Sequence, residues 1–458
     1  MTNKLTASAL AMAVTLGWAL PASAQSADST AVQQQLAEMR AQMEAMADRI
    51  ESLEGQLVAA NAKAEAASAT ANEAKLASKD TVKAKWKGAP EFASADGSFT
   101  FKPRGRLQID SGHVSAPSSI SDKSLGYGTE IRRAYLGVDG TIPGGFGYRV
   151  EADFANSEVE LTDVYLTYKP GKNLTLAIGQ QKPFWSLEEI TSDLFTTMME
   201  RAAINTAFGY ERRVGLSAAY AQGDVLIQAG IFADNAKDLN SDKNDSVSGD
   251  GRIVFMPKLA GGQLHLGGSV HYRSLKDAGA SVRYRVRPFL HTTDRRFIDT
   301  GNINATSERG YGLEAAYIRG PFHFAGEAHW QQVSRPAASD PTFFGGYAEV
   351  GYYLTGGDSR GYKGGVFDRT NPSNGVDKGG IGAVELNLRY DYLDLVDAGI
   401  IGGKQNGYAV SLVWSPTAYT RFIANYGHMS YSDAAVATGT GDRDYSTDAF
   451  GMRAQFDF

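Results

Sequence analysis

Nine residues, Val384-Glu-Leu-Asn-Leu-Arg-Tyr-Asp-Tyr392, decide the fold class. Val384, Leu386, Leu388, Tyr390 and Tyr392 alternate with Glu385, Asn387, Arg389 and Asp391. A period of two is the signature of a strand, because successive side chains leave a pleated backbone on opposite faces. Leu264, Leu266, Val270 and Tyr272 alternate in the same way with Gln263, His265, Ser269, His271 and Arg273. Val150, Ala152 and Phe154 do so with Arg149, Glu151 and Asp153.

Alternation alone leaves open which face meets water. Aromatic residues gather near strand ends, as in Tyr165 to Tyr168 and Tyr352-Tyr353, where a membrane-interface girdle would lie. Connections alternate between short and long, and the chain ends on Phe456-Asp457-Phe458, an alternating strand closing on an aromatic that resembles the outer-membrane assembly signal. Sixteen such segments can be counted between 99–110 and 444–458, an even number, as a barrel with both termini on one side requires. A seventeenth, 281–289, would break that parity. The tight link Arg319-Gly320-Pro321 must be a periplasmic turn, so residues 274–308 are read as one long external loop. The other long external loops are 111–129, 181–211 and 233–248, and 355–380 becomes an unusually long periplasmic turn. The expected fold is all-β, a 16-stranded antiparallel transmembrane β-barrel over 81–458, preceded by an α-helical coiled coil.

Composition agrees. The 458 residues include 51 Gly, 22 Tyr and 21 Phe, no Cys, and a net charge of -6. Without cysteine there are no disulfides, thiol nucleophiles or thiolate metal sites, and the acidic balance argues against nucleic acid as a partner. G-x-S-x-G, H-E-x-x-H and the phosphate-binding glycine loop are all missing, so neither catalysis, cofactor nor metal is expected. Asp238 to Asp245 begins with calcium-loop spacing but lacks the later Gly and Glu, and reads as a solvated acidic loop.

Lys4, the apolar run Leu5 to Leu20, Pro21 and Ala22-Ser23-Ala24 have the layout of a secretory signal peptide, residues 1–24. From residue 30 to 80 the pattern is helical. Val32, Leu36, Met39, Met43, Met46, Ile50, Leu53 and Leu57 follow at alternating spacings of four and three, and Ala60, Ala64, Ala67, Ala71 and Ala74 continue the register. Such a seam is a periplasmic coiled coil and implies an oligomer, without fixing two or three strands.

A sixteen-stranded barrel leaves an aqueous bore unless something fills it. The phase of the first strand points Lys102, Arg104 and Arg106 inward, opposite Phe101, Leu107 and Ile109; Arg133 has the inward phase on the second. The loop after the fifth strand is the expected constriction and carries Lys182, Glu188, Glu189 and Arg201. Arg283, Arg285 and Arg287 recur at every second position, a file of guanidiniums that selects by charge. Their alternative use, with Arg295 and Arg296, is pairing with acids or lipopolysaccharide phosphates.

Phe99–Gln108 (FTFKPRGRLQ), Ile131–Phe154 (IRRAYLGVDGTIPGGFGYRVEADF), Val159–Tyr168 (VELTDVYLTY), Leu187–Arg201 (LEEITSDLFTTMMER), Arg283–Pro288 (RYRVRP), Tyr352–Gly356 (YYLTG) and Val384–Asp391 resemble the phosphate-selective porins O and P of the bacterial outer membrane. The resemblance implies a homotrimer of sixteen-stranded barrels with an arginine ladder, whose positions fall on Arg106, Arg132, Arg133, Arg201, Arg285 and Arg287, with Lys102 beside it. Lys83 and Lys85 match lysines before the first strand. The family's constriction lysine falls on Glu189, a second lysine on Gly147, and its carboxylate partner on Thr162. Anion entry is therefore expected, with phosphate or polyphosphate as candidate solutes, and a reversed charge at the narrowest point. Strict alternation turns Arg132 toward lipid, so an inward role needs a loop-end or bulged geometry. The expected surroundings are outer-membrane lipid and lipopolysaccharide, small anions and, through the coiled coil, the cell wall. Two other readings stay open: a pore for neutral or cationic solutes such as sugars, and a plugged barrel serving as a structural tether.

Overall fold

The computed structural model describes residues 28–77, 82–242, 244–276 and 280–458; the signal-peptide reading lies outside them. The chain divides into two compact units between residues 80 and 81. The first holds one helix, α1 (Asp28–Ala77), whose 50 residues make a rod of about 75 Å. Its seam is uncovered: Val32, Leu36, Met39, Met43, Met46, Ile50, Leu53 and Leu57 are between 46 and 63 % exposed. No described helix is long and apolar enough to cross a membrane.

The second unit is a closed barrel of sixteen antiparallel strands. They are β1 (Thr100–Ser115), β2 (Gly126–Ile142), β3 (Phe146–Asp153), β4 (Glu160–Tyr168), β5 (Leu174–Gln181), β6 (Arg213–Gln222), β7 (Val225–Phe232) and β8 (Ser246–Phe255). The circuit continues through β9 (Gly262–Leu275), β10 (Ser307–Arg319), β11 (Phe322–Ser334), β12 (Thr342–Tyr353), β13 (Ala383–Asp397), β14 (Ile400–Thr417), β15 (Thr420–Ser432) and β16 (Tyr445–Asp457). Each pairs with its neighbour in sequence, and β16 pairs with β1 from Asp448↔Ser115 to Asp457↔Arg106, which removes the free edge. A short hairpin, Lys83–Lys87 with Ala89–Ala93, leads into β1.

The barrel is apolar outside and polar within. On β13, Leu386, Leu388 and Tyr390 lie on the outer face, while Glu385, Asn387, Arg389 and Asp391 are buried in the bore. On β10, Arg309 and Arg319 bracket the outward run Tyr311, Leu313, Ala315 and Tyr317. Ten residues at about 3.4 Å, tilted by about 40°, rise about 25 Å, the height of an outer-membrane apolar band. Rings cluster where that band ends, as in Trp330 with Phe344 at 5.1 Å and Trp414 with Phe422 at 5.4 Å. Only half of each expected aromatic pair joins the girdle. Tyr352 faces out and Tyr353 in, because adjacent strand residues cannot share a face.

Several strands run past their sequence-derived ends. β1 and β2 narrow the expected loop 111–129 to 116–125, and β13 and β14 meet in a two-residue turn at Ala398-Gly399. Beyond the apolar band the outward positions turn polar, so pairing continues after the alternation has faded. The seventeenth candidate forms two-residue pieces, Ser281–Val282 and Arg285–Val286, paired within its own loop and outside the wall.

Three connections fold inward. The segment 182–212 carries two short helices, α2 (Leu187–Ile190) and α3 (Ala203–Phe208), with Trp185, Leu187, Ile204 and Phe208 almost fully buried. The segment 276–306 packs Phe289 over Gly407 and Gly427, and Leu290 over Gly112 and Gly451; a methyl group at any of the four would sit within 2.7 Å of those side chains. From the end bearing the barrel termini, 354–382 sends in a hairpin, Gly361–Lys363 with Val366–Asp368. Its Phe367 is buried, and the Phe367 N–H donates to Thr191 Oγ1 at 3.3 Å.

Candidate functional site

The wall opposite the 182–212 segment holds that segment by charge. Glu327 of β11 accepts the backbone N–H groups of Leu187 and Glu188 at 3.0 and 2.8 Å, and Asp391 of β13 accepts that of Ala203 at 2.8 Å. These acids satisfy amides that the first turns of α2 and α3 leave without partners. Glu188 is turned away from the bore's open side: it pairs with Arg389 and accepts from the Ala202 N–H at 2.9 Å. Arg453 of β16, fully buried, bonds Asp110 at 2.7 Å and Glu200 at 2.9 Å, and Arg421 donates to the Leu194 carbonyl at 2.9 Å.

The other side of the segment faces a cationic wall. Lys102, Arg104 and Arg106 take the inward positions of β1. Arg106 stacks over Tyr135 at 4.5 Å and contacts Asp193 and Glu151. Arg104 pairs with Glu151 and Asp139, each at 3.0 Å. Arg133 bonds Asp193 at 2.7 Å and Gln108 at 2.8 Å. Between Gln108↔Arg133 and Ile109↔Ile131 the β1–β2 register slips, so Arg132 is the extra residue of a β-bulge. A bulge re-aims a side chain, and Arg132 reaches Glu200 in the bore with two bonds of 3.0 and 3.1 Å.

Glu189 sits where two cations converge. Lys182 lies 2.8 Å from its carboxylate and Arg201 3.5 Å. Burial works to raise the Glu189 carboxyl, yet Arg201 and Lys182 together hold it below its usual range. The expected charge reversal is therefore cancelled locally. Lys182 feels the converse: burial and the like charge of Arg201 push its ammonium down to about 8 against the pull of Glu189. Asp193, beside Arg106 and Arg133, is held well below the carboxylate range despite its burial.

Arg132, Arg133, Arg201, Arg287 and Glu189 meet around one cavity of about 220 Å³, which Asp193, Glu200, His291, Met199, Val286, Phe289 and Leu290 also line. Arg283 and Arg287 share a face of their loop, as the two-residue spacing requires, but pair with Asp299 at 2.7 Å and Asp294 at 3.0 Å. Arg295 pairs with Asp122 at 2.9 Å. Arg285 is exposed, and neither it nor Lys102 makes an ion pair among the described residues. Lys83 is on the leading hairpin, donating to the Ala95 carbonyl at 2.7 Å. Gly147 and Thr162 are on β3 and β4; the Thr162 hydroxyl donates to the Glu151 carbonyl at 3.0 Å.

A family model described as phosphate-selective porin O and P matches residues 101–458, the whole barrel. The chain belongs to that family. It is 42 % identical over 450 residues to an uncharacterized protein of Caulobacter vibrioides, covering 93 % of this chain and 90 % of that one. It is 27 % identical over 430 residues to Porin O of Pseudomonas aeruginosa, covering 82 % and 92 %. The fold is also that of an anion-selective porin from Comamonas acidovorans, at a TM-score of 0.50 and 13 % identity over 79 % of this chain and all of that one. The protein is thus an outer-membrane porin by family.

Three members of this porin's cationic wall escaped the sequence reading as site residues. Arg149, 3.7 Å from Asp163, had its signal in the inward phase of β3. Arg212, 2.8 Å from the same Asp163, stands just before β6 and had none. Arg104 had the inward phase but no match to a ladder position. The acids that partner the ladder, Glu151, Asp163, Asp193 and Glu200, are scattered over two strands and one loop, and only the folded segment 182–212 brings them together.

Proposed function

We propose that this porin passes small solutes by diffusion with a preference for anions, as a homotrimer whose loop-bearing end faces outward and whose helix stands in the periplasm. The observation that carries the reading is the charge count along one wall. Lys102, Arg104, Arg106, Arg132, Arg133, Arg149, Lys182, Arg201 and Arg212 stand against Asp139, Glu151, Asp163, Glu189, Asp193 and Glu200. Asp110, Glu130 and Asp153 also take inward positions on β1 to β3, and Arg453 pairs with Asp110, so ten cations stand against nine carboxylates and leave a surplus of one positive charge in a narrow, poorly solvated slot. Charges there act far more strongly on a passing ion than they would in water. Arg285 at the loop-bearing end and Lys102 near the terminus-bearing end, neither in an ion pair among the described residues, extend the file in both directions and supply steps for entry and exit.

The deciding measurement is the reversal potential of single channels in a planar bilayer under a potassium chloride gradient. Chloride preference is expected. Potassium preference would overturn the reading, and an absence of current steps would favour a barrel plugged by its two meeting segments, Leu187–Ile190 and Val366–Asp368.

A further inference from the structure

Which anion the central cavity suits follows from what its guanidiniums have left to give. Each guanidinium offers five N–H donors. Arg132 spends two on Glu200, Arg133 two on Asp193 and Gln108, and Arg287 two on Thr293 and Asp294. Arg201 spends two on the carbonyls of Glu188 and Thr191, and its charge is further met by Glu189. The carboxylates Glu189, Asp193 and Glu200 line the same space. A multiply charged oxyanion entering it would trade its water for partly committed donors and three nearby negative charges, a poor exchange. Beside the polar Thr196, Asn205, Thr206 and His291, one part of the lining is apolar, made by Met199, Val286, Phe289 and Leu290, all nine-tenths or more buried. At about 220 Å³ the space exceeds the roughly 150 Å³ of an apolar cavity that takes up benzene.

Resting on the anion reading above, we infer that the cavity selects singly charged organic anions, a carboxylate joined to an aromatic or aliphatic body, over inorganic phosphate. The carboxylate engages the free N–H edges of Arg132, Arg201 and Arg287, while the hydrocarbon lies against Met199, Val286 and Leu290. Each buried methylene adds to retention through the water it releases.

The test is concentration-dependent block of chloride current through single wild-type channels in planar bilayers, with benzoate, hexanoate, acetate and phosphate as probes at pH 7. Benzoate and hexanoate are expected to block at concentrations at least tenfold lower than phosphate, and acetate to fall between. In a channel carrying M199Q and V286T, the benzoate-to-phosphate ratio should drop at least threefold. Phosphate block as tight as benzoate block overturns the inference, and so does a ratio that the double substitution leaves in place. The reversal potential of the same wild-type channels separates the two levels. Potassium preference brings down the anion reading itself, whereas chloride preference with equal or tighter phosphate block brings down this inference alone.

Discussion

Glu189 shows how a single substitution within the family pattern is absorbed. A buried acid in an anion path is costly by itself, and Lys182 at 2.8 Å with Arg201 at 3.5 Å keeps it ionised and neutralised. Removing its charge should therefore release theirs. E189Q is expected to raise the chloride-to-potassium permeability ratio by roughly 3- to 10-fold, or about 0.6–1.4 kcal/mol, the low end of what one unit charge about 4 Å from the path is worth between water and a half-solvated site. Unchanged reversal potentials in the variant would mean that ions do not pass this triad. Lys182 adds a pH dependence with a definite sign. Its ammonium, lowered to about 8, is charged below that pH and neutral above it. Anion preference should accordingly fall between pH 7 and pH 9, with a midpoint near 8, and K182M should show no such step in the same recordings. A midpoint above 10 would place Lys182 in ordinary solvent.

Elements explain where the sequence could be read and where it could not. The strands were legible because lipid outside and water inside impose a strict two-residue period, as on β13. Alternation alone misdirects Arg132 for the same reason: its phase points to lipid, the family resemblance put it on the ladder, and the extra residue in β2 turns it inward. The segment 354–382 announced itself by length, but nothing in its composition says that Arg360 pairs with Glu349 at 3.1 Å or that Phe367 reaches Thr191. Long-range bonds also hold the constriction segment, and Arg453 is their strongest point, fully buried between Asp110 and Glu200. R453M would leave Asp110 alone in the wall and Glu200 with Arg132 only. Breaking a buried pair from one side costs about 3–5 kcal/mol, so urea unfolding of the reconstituted barrel should lose stability on that scale, and single-channel current should become noisier as the segment loosens. A loss under about 1 kcal/mol would show that the backbone bonds to Glu327 and Asp391 suffice.

At the scale of the whole molecule, the two units obey opposite rules of burial. The barrel leaves its apolar face outward because hydrocarbon covers it, whereas α1 leaves Leu36, Met43 and Ile50 more than 45 % exposed over the same length of chain as its polar residues. No lipid band accounts for a stripe two residues wide in every seven. On the coiled-coil reading, another helix with the same seam covers such a stripe by knobs entering holes, and three barrels side by side would supply the copies. Charges placed in that seam should then act on assembly and leave the pore alone. M43E with I50E puts two carboxylates per strand into the interface, where desolvation without a partner is strongly unfavourable. The oligomer is expected to come apart in a detergent heating series roughly 10 °C below the unsubstituted protein, on the usual conversion of about 1 kcal/mol to a few degrees. Conductance per channel should match the unsubstituted protein, because the cationic wall from Lys102 to Arg212 lies wholly within residues 100–213 of the barrel unit. An unaltered dissociation temperature would mean that the copies are held by the barrels and that the seam of α1 is kept for a different partner.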